Sequence, residues 1–118
     1  MYEYRCKLNR VVDGDTVLMD IDLGCHIWKH REYIRLLDID TPELNSKDPE
    51  ERERARTAKE YVKTWFEGGK KFTIKTKLDK TGKYGRLLGF IFRDTDATIS
   101  LNMALNRAGL QKKLPTTR

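Results

Sequence analysis

Residues 11–23 read VVDGDTVLMDIDL, and this stretch predicts a β-hairpin. Asp13-Gly14 is a turn signal, because glycine at the second position adopts the backbone conformations that tight hairpins need. The strand before the turn is predicted over residues 4–12. The strand after it is predicted over residues 16–23, where alternating apolar side chains indicate one buried face. The apolar positions of that face are Val17, Met19, Ile21 and Leu23.

The rest of the chain adds three strands and two helices to this hairpin. We predict strands over residues 26–37, 71–78 and 87–92, a helix over residues 49–67 and a short helix over residues 100–108. Five strands with a helix between the third and the fourth is the order of the OB-fold barrel. Barrel closure also removes the exposed edges of such short strands. The predicted fold is therefore mainly β with helices (α+β): a five-stranded OB-fold barrel with a helix between strands 3 and 4 and a short C-terminal helix.

The long helix has recognisable boundaries in the sequence. Asp48 is expected to cap its N-terminus, with Pro49 at the first helical position. Glu51 stands three residues after the cap, the spacing of a capping box. Gly68-Gly69 is expected to end the helix.

Length and charge restrict the class of protein. The 118 residues suffice for one core, so we expect residues 1–118 to form a single domain. The net charge of +6 favours an anionic partner, and nucleic acid is the usual one. On charge alone, a basic protein without a nucleic-acid partner is an equal alternative.

The cysteines and the N-terminal residues bear on where in the cell the protein is located. Cys6 and Cys25 have no zinc-site spacing, so we expect free, buried thiols, with a disulfide between neighbouring strands as the alternative. The first residues lack the apolar core of a signal peptide. No segment reaches transmembrane length, and no membrane partner is expected. Localisation stays open: cytoplasmic if the chain is complete, secreted if a leader was removed.

Two acid-rich turns form a candidate metal site. Asp15 opens the second predicted strand and Asp40 closes the third, and adjacent antiparallel strands can bring these ends together. Two carboxylates and a backbone carbonyl, such as that of Thr41, supply half of the oxygen ligands that Ca²⁺ or Mg²⁺ needs. The alternative is structural, with Asp13-Gly14 a plain hairpin turn and the second segment a polar loop.

Three further residues could take part in phosphodiester chemistry. Glu43 lies three residues after Asp40 and could accept a proton from water. A general base supplies only ~10² to 10⁴ in rate, so charge stabilisation must supply most of the rest. Arg35 and Arg86 are the candidates for that role. Arg35 would point away from Asp40 on a regular strand, so a bend is needed to bring both to one site.

Three motifs resemble those of the staphylococcal nuclease (thermonuclease) family. They read VDGDTV at residues 12–17, RLLDIDTPE at residues 35–43 and KYGR at residues 83–86. Their order and separations also fit, and the similarity extends over about residues 4–110. The resemblance implies an OB-fold barrel and a calcium-dependent endonuclease or exonuclease acting on DNA and RNA. Water would cleave the 5′ P–O bond and leave 3′-phosphates.

The resemblance also implies a set of metal ligands, carried over position by position. Asp15 and Asp40 match calcium ligands, and Thr41 would contribute its backbone carbonyl. Asp13 would lie behind the ligands and support them.

Catalytic and substrate-binding residues follow from the same resemblance. Glu43 matches the candidate general base, and Arg35 and Arg86 match the residues that bind the phosphate and stabilise the developing charge. Lys83 and Tyr84 match positions that contact the terminal phosphate of a bound nucleotide.

The sequence departs from the family near its C-terminus. Members often continue with a further helix and a tyrosine that packs on the base, whereas Pro115 stands about there in this chain. Base–aromatic stacking is worth ~1 to 3 kcal/mol per base, so we expect weaker binding without this tyrosine. Without the further helix one side of the barrel loses packing, so we also expect lower stability, or completion by a partner or a dimer. A monomer is expected, with a dimer as the alternative.

Three functions are compatible with the sequence. A metal-dependent nuclease explains the retained carboxylates and arginines together. A non-catalytic module for single-stranded nucleic acid needs the basic residues but not the carboxylates, which repel phosphates without a metal. A protein-interaction domain on the same barrel is the third. A DNA or RNA substrate, single-stranded in preference, is the expected partner, with endo or exo mode left open.

Overall fold

A computed structural model of the chain describes residues 2–77 and 87–111. It contains five strands and two helices in the order predicted. The strands are β1 (Tyr2–Asp13), β2 (Thr16–Asp22), β3 (Trp28–Leu36), β4 (Phe72–Lys77) and β5 (Leu87–Arg93), and the helices are α1 (Pro49–Glu67), between β3 and β4, and α2 (Leu101–Arg107), after β5.

The five strands form a closed barrel in the order β1-β2-β3-β5-β4, with β4 returning to β1. All neighbouring pairs are antiparallel except β3 and β5, which are parallel. This arrangement confirms the predicted OB-fold barrel with its helix between strands 3 and 4. That residues 1–118 form a single domain stays a prediction.

The core lies inside the barrel and beneath α1. Trp65 and Phe66 of α1 are buried and pack edge to face, with ring centroids 5.1 Å apart. The Phe66 ring also lies 4.9 Å from the ring of Phe72 at the start of β4. Burying each such side chain contributes about 1.5–3 kcal/mol, so these contacts hold α1 against the barrel. The strands contribute further large buried side chains, among them Val17, Met19, Ile21, Ile34, Leu36, Ile74 and Ile91.

The turn between β2 and β3 differs from the prediction. β2 ends at Asp22, so Leu23 is 45% exposed and does not join the buried face. Cys25 and His26 both have positive φ, and β3 begins only at Trp28. The prediction that Cys25 is buried is wrong, because the residue lies in this exposed turn. Both thiols are free, as predicted, and burial raises the pKa of Cys6 to about 12.

The start of α1 confirms the predicted cap but not the capping box. The Asp48 side chain accepts a hydrogen bond from the backbone N–H of Glu50, and Pro49 is the first helical residue. Glu51 does not reach back to the cap. Its carboxylate accepts the backbone N–H of Glu43 at 3.2 Å, and it thereby joins the loop after β3 to the helix.

A buried polar residue of α2 joins the end of β3 to the neighbouring parallel strand β5. The Asn102 side chain donates to the carbonyl oxygens of Leu37 at 2.9 Å and Gly89 at 3.0 Å. Its Oδ1 accepts from the backbone N–H of Ile91 at 3.4 Å. Asn102 thus fixes the position of the chain just after β3, where the candidate site begins.

In the stretches that the structure describes, neither helix is both long and apolar enough to cross a membrane.

Candidate active site

The candidate site begins where the start of β2 pairs with the end of β3. Thr16 lies opposite Arg35 in the antiparallel register, and the Asp15 carbonyl accepts the backbone N–H of Leu36 at 2.9 Å. This pairing brings Asp15, at the start of β2, beside Arg35, near the end of β3. The Arg35 guanidinium forms an ion pair with the Asp15 carboxylate.

A chain reversal after β3 brings Asp40 back to the same guanidinium. The strand ends at Leu36, earlier than predicted, and Asp38 takes a φ of 60°. Arg35 Nη1 donates to the Ile39 carbonyl at 2.9 Å, and Arg35 Nη2 lies 3.5 Å from Asp40 Oδ1. The bend that the sequence called for is therefore present, and one guanidinium contacts both carboxylates.

The Asp15 carboxylate is the most tightly held group in the site. Its side chain is only 12% exposed. Oδ2 accepts the backbone N–H of Thr41 at 3.2 Å, and Oδ1 accepts the Thr16 hydroxyl at 3.1 Å. The Asp15 backbone N–H in turn donates to Asp13 Oδ1 at 3.1 Å. These bonds fix the orientation of Asp15, whereas the Asp40 side chain is 56% exposed.

Asp13 and Asp15 differ in how readily they ionise. Burial, followed by the hydrogen bond and the charge of Asp15, raises the pKa of Asp13 to about 6. Burial opposes ionisation of Asp15 as well. The hydrogen bond from Asp13, the charge of Arg35 and the Thr41 N–H outweigh it, and together they lower the pKa of Asp15. Asp15 is therefore the member of the pair that ionises at the lower pH.

Thr41 and Gly14 pack against each other beneath Asp15. Thr41 is 3% exposed, and its hydroxyl is a buried polar atom without a hydrogen-bond partner among the described residues. A Cβ atom on Gly14 would lie 2.8 Å from Thr41 Oγ1 and 2.8 Å from Ala58 Cβ. Glycine is needed in this turn because a side chain has no room there.

Glu43 lies in the exposed loop that follows the reversal. Its backbone N–H donates to Glu51, and its carbonyl accepts from Ser46 at 3.3 Å. Within the described residues its carboxylate makes no ion pair, so the structure fixes its backbone but not a contact with Asp15, Asp40 or Arg35.

The remaining predicted residues, Lys83, Tyr84 and Arg86, lie outside the described residues.

The chemistry of the donors fits a hard cation. In residues 2–77 and 87–111 no group of three or more His, Cys, Asp or Glu side chains could hold a metal. The candidate is therefore a pair of carboxylates with a backbone carbonyl, all oxygen donors of the kind that Ca²⁺ prefers. Asp15 and Asp40 already stabilise one positive charge, that of Arg35, between them. A bound cation would compete with Arg35 for these oxygens.

A comparison with protein families gives a match to the staphylococcal nuclease homologue family over residues 33–115. The matched segment contains the chain reversal, Asp40 and Glu43. The chain belongs to the staphylococcal nuclease family. Asp13 and Asp15 precede the matched segment, but the register of β2 and β3 places them beside it.

Two relatives match most of the chain. Endonuclease YhcR of Bacillus subtilis is 32% identical over 110 residues, covering 88% of this chain and 8% of the relative. The uncharacterised protein MJ1439 of Methanocaldococcus jannaschii is 33% identical over 124 residues, covering 90% of this chain and 57% of the relative. The chain thus spans less than two thirds of the length of each of these relatives.

Sequence reasoning missed two residues that position the candidate site. Glu51 was assigned to the helix cap, because the spacing to Asp48 matches a capping box and nothing local indicates a partner in the preceding loop. For Asn102, one feature of the sequence indicates a structural role. It lies between Leu101 and Leu105, both fully buried, and a polar residue on a buried helix face needs internal hydrogen-bond partners.

Proposed function

We propose that the chain is a calcium-dependent nuclease that hydrolyses phosphodiester bonds of DNA and RNA, cleaving the 5′ P–O bond and leaving 3′-phosphates. The observation that carries this proposal is the position of Arg35. Its guanidinium contacts Asp15 and Asp40 at once, so the residue proposed to bind phosphate lies beside both carboxylates proposed to bind the metal. Family membership and the similarity to an endonuclease support the reaction class.

Asp15, Asp40 and the Thr41 carbonyl would hold the calcium ion. When bound, the ion would neutralise charge on the substrate phosphate and act as a Lewis acid. Asp15 suits this role because its pKa is lowered and its orientation is fixed by three neighbouring groups. Asp13 supports it from behind through the backbone N–H of Asp15.

Glu43, Arg35 and Arg86 would carry the hydrolysis. The Glu43 carboxylate takes the proton of the attacking water, whose oxygen bonds to phosphorus. The bond from phosphorus to the 5′ oxygen breaks, and this oxygen takes a proton from solvent to leave as a 5′-hydroxyl. A base of this kind contributes ~10² to 10⁴ in rate. Arg35 and Arg86 stabilise the charge that develops on the phosphate oxygens, because guanidinium groups match phosphate geometry. Glu51 acts only through the loop, by holding the Glu43 backbone.

A single-stranded substrate is the form we expect the site to prefer, since phosphate and base are then both accessible. Lys83 and Tyr84 would contact the terminal phosphate of the bound nucleotide. The net charge of +6 favours an anionic polymer of either sugar type. We expect the chain to act as a monomer.

Digestion of single-stranded DNA with calcium or with a calcium chelator tests this proposal. Glu43→Gln removes the base with little change in shape, and Glu67→Gln, at the exposed end of α1, is the matched control. Cleavage should require calcium and fall at least about 10²-fold in Glu43→Gln, with the control unchanged. Intact DNA under every condition, with binding retained at low salt, would instead favour a non-catalytic binding module.

A further inference from the structure

We propose a second contact surface for single-stranded nucleic acid, remote from the candidate active site and resting on the proposed nuclease function. It is a groove of about 590 Å³ across β1, β4 and β5, bordered by the start of β3. We call it the distal groove. The proposal rests on six of the residues that line this groove: Arg5, Lys7, Trp28, Lys71, Lys75 and Phe92.

The strand register places the distal groove at the other end of the barrel from the site. Arg5 of β1 pairs with Asp22 at the end of β2 and with Thr73 at the beginning of β4. Asp13, at the opposite end of β1, pairs with Thr16 at the beginning of β2. Arg5 and Asp13 are eight residues apart on one strand, about 26 Å at ~3.3 Å per residue. One polynucleotide could reach both places only as an extended strand.

The charge of the distal groove suits a polyanion. Six cationic side chains and three carboxylates line it, so cations dominate. Two of the carboxylates are engaged with backbone groups: Asp22 accepts the N–H of Gly24, and Asp94 accepts the N–H of Lys70. They keep loops in place at the rim. Neutralising phosphates along such a groove is the main source of affinity for nucleic acid.

Two lysines of the distal groove are held over aromatic rings. The ammonium of Lys7 lies 5.0 Å from the centroid of the Trp28 ring, and that of Lys75 lies 5.2 Å from the centroid of the Phe92 ring. Cation–π attraction keeps these charges above the groove wall, where fewer rotamers are lost on binding a phosphate. Trp28 and Phe92 are only partly buried.

Cations interleaved with partly exposed aromatic rings are the features that bind single strands. Phosphates contact the cations, while bases stack on rings at a gain that does not depend on sequence. An acidic peptide would use the charges but not the two flat rings. A duplex keeps its bases inside and would leave the rings unused. The geometry therefore favours a single strand, with a site size in the range of ~4 to 16 nucleotides.

Binding of an oligothymidylate of about 16 nucleotides, in a calcium chelator to prevent cleavage, tests the inference. Lys7→Gln/Lys75→Gln should lower affinity at least about tenfold at low salt. It should also reduce the slope of log K against log[salt] by about 1.4, the value for two phosphate contacts on a single strand. Trp28→Ala should lower affinity about tenfold with the slope unchanged, because it removes stacking and no charge.

The matched control is Arg54→Gln/Lys63→Gln, which removes two charges from the exposed side of α1. Unchanged affinity in the control and a loss in the groove variant support the distal groove. Equal losses in both, or none in either, overturn it. Melting temperatures equal to that of the wild type show that a variant has not lost affinity through unfolding. If the double variant melts early, the milder single variant Lys75→Gln replaces it, and this variant should show about half the change in slope. Because binding is measured without calcium, a chain that binds at the groove but never cleaves refutes the nuclease and not the groove.

Discussion

The Asp15 carboxylate and the Arg35 guanidinium form an ion pair across the start of β2 and the end of β3. Both side chains are mostly buried, at 12% and 26% exposure. The pair therefore orients a predicted metal ligand, and it brings the cation that we propose to bind phosphate to the same point. Removing Arg35 leaves the charge of Asp15 partly buried and without an ion-pair partner.

Arg35→Gln should affect both stability and catalysis. We expect a loss of about 1–3 kcal/mol in unfolding free energy, because a charged hydrogen-bond partner of Asp15 disappears. The cleavage rate should fall about 10²–10³-fold, the range for one lost transition-state donor. Urea unfolding and DNA cleavage measure the two effects, with Arg54→Gln on the surface of α1 as the control. A variant that cleaves within about twofold of wild type contradicts the assigned role of Arg35.

Gly14→Ala should be destabilising because of its contact with Thr41. The added Cβ would lie 2.8 Å from Thr41 Oγ1, and overpacking of this kind costs about 1–3 kcal/mol. Thr41→Ala removes both Thr41 atoms that the new methyl group meets. In the double variant the Gly14→Ala cost should therefore shrink by at least about 0.5 kcal/mol, as measured by a double-mutant cycle in urea. If the losses of stability in the two single variants simply add up in the double variant, the strain of Gly14→Ala does not come from Thr41.

Asn102→Ala should cost about 1–3 kcal/mol of unfolding free energy, since it leaves the buried Leu37 and Gly89 carbonyls and the Ile91 N–H without this partner. Asn106→Ala, on the exposed side of the same helix, should stay within about 0.5 kcal/mol of wild type. Urea denaturation compares the two. Equal losses of stability in the two variants would mean that the Asn102 hydrogen bonds do not stabilise the fold and that only the helix propensity of α2 has changed.

Asp13 should make the metal-free protein less stable as the pH rises. Its pKa is raised to about 6 when folded, against about 3.9 in an unfolded chain, so between those values the folded state binds more protons. This contribution is complete below about pH 4 and is lost as the pH passes about 6. Asp13→Asn removes the titration, so its stability relative to wild type should rise from pH 4 to pH 7 in a chelator. A constant difference across that range contradicts a raised pKa.

The sequence predicts the barrel well because its strands carry a period-two apolar pattern and its turns carry glycine signals. Asp13-Gly14 ends β1, and the antiparallel order then brings Asp15 to the end of β3 without any further information. The OB-fold order followed from the position of α1 between the third and fourth strands.

What the sequence could not show depends on long-range contacts. The reversal at Asp38 requires a positive φ that aspartate adopts only in context, so the strand was extended one residue too far. The packing of Gly14 on Thr41 joins residues 27 positions apart, and a turn glycine shows no trace of it. Cys25 falls between the strands predicted over residues 16–23 and 26–37, and only its predicted burial is wrong. Apolar residues alternate on both sides of Cys25, but the turn leaves the side chain exposed.

We propose that Asp15 and Asp40 hold a calcium ion needed for phosphodiester cleavage. Asp40→Asn and Asp38→Asn make a matched pair, since both remove one exposed carboxylate from the same loop and only Asp40 contacts Arg35. The most direct measurement is the cleavage rate of single-stranded DNA at limiting calcium for wild type and both variants. We expect no cleavage in a chelator, wild-type behaviour for Asp38→Asn, and a loss of at least about tenfold for Asp40→Asn, the lower bound for residues that merely support a metal ligand. Full cleavage without calcium, or equal rates for the two variants, would contradict it.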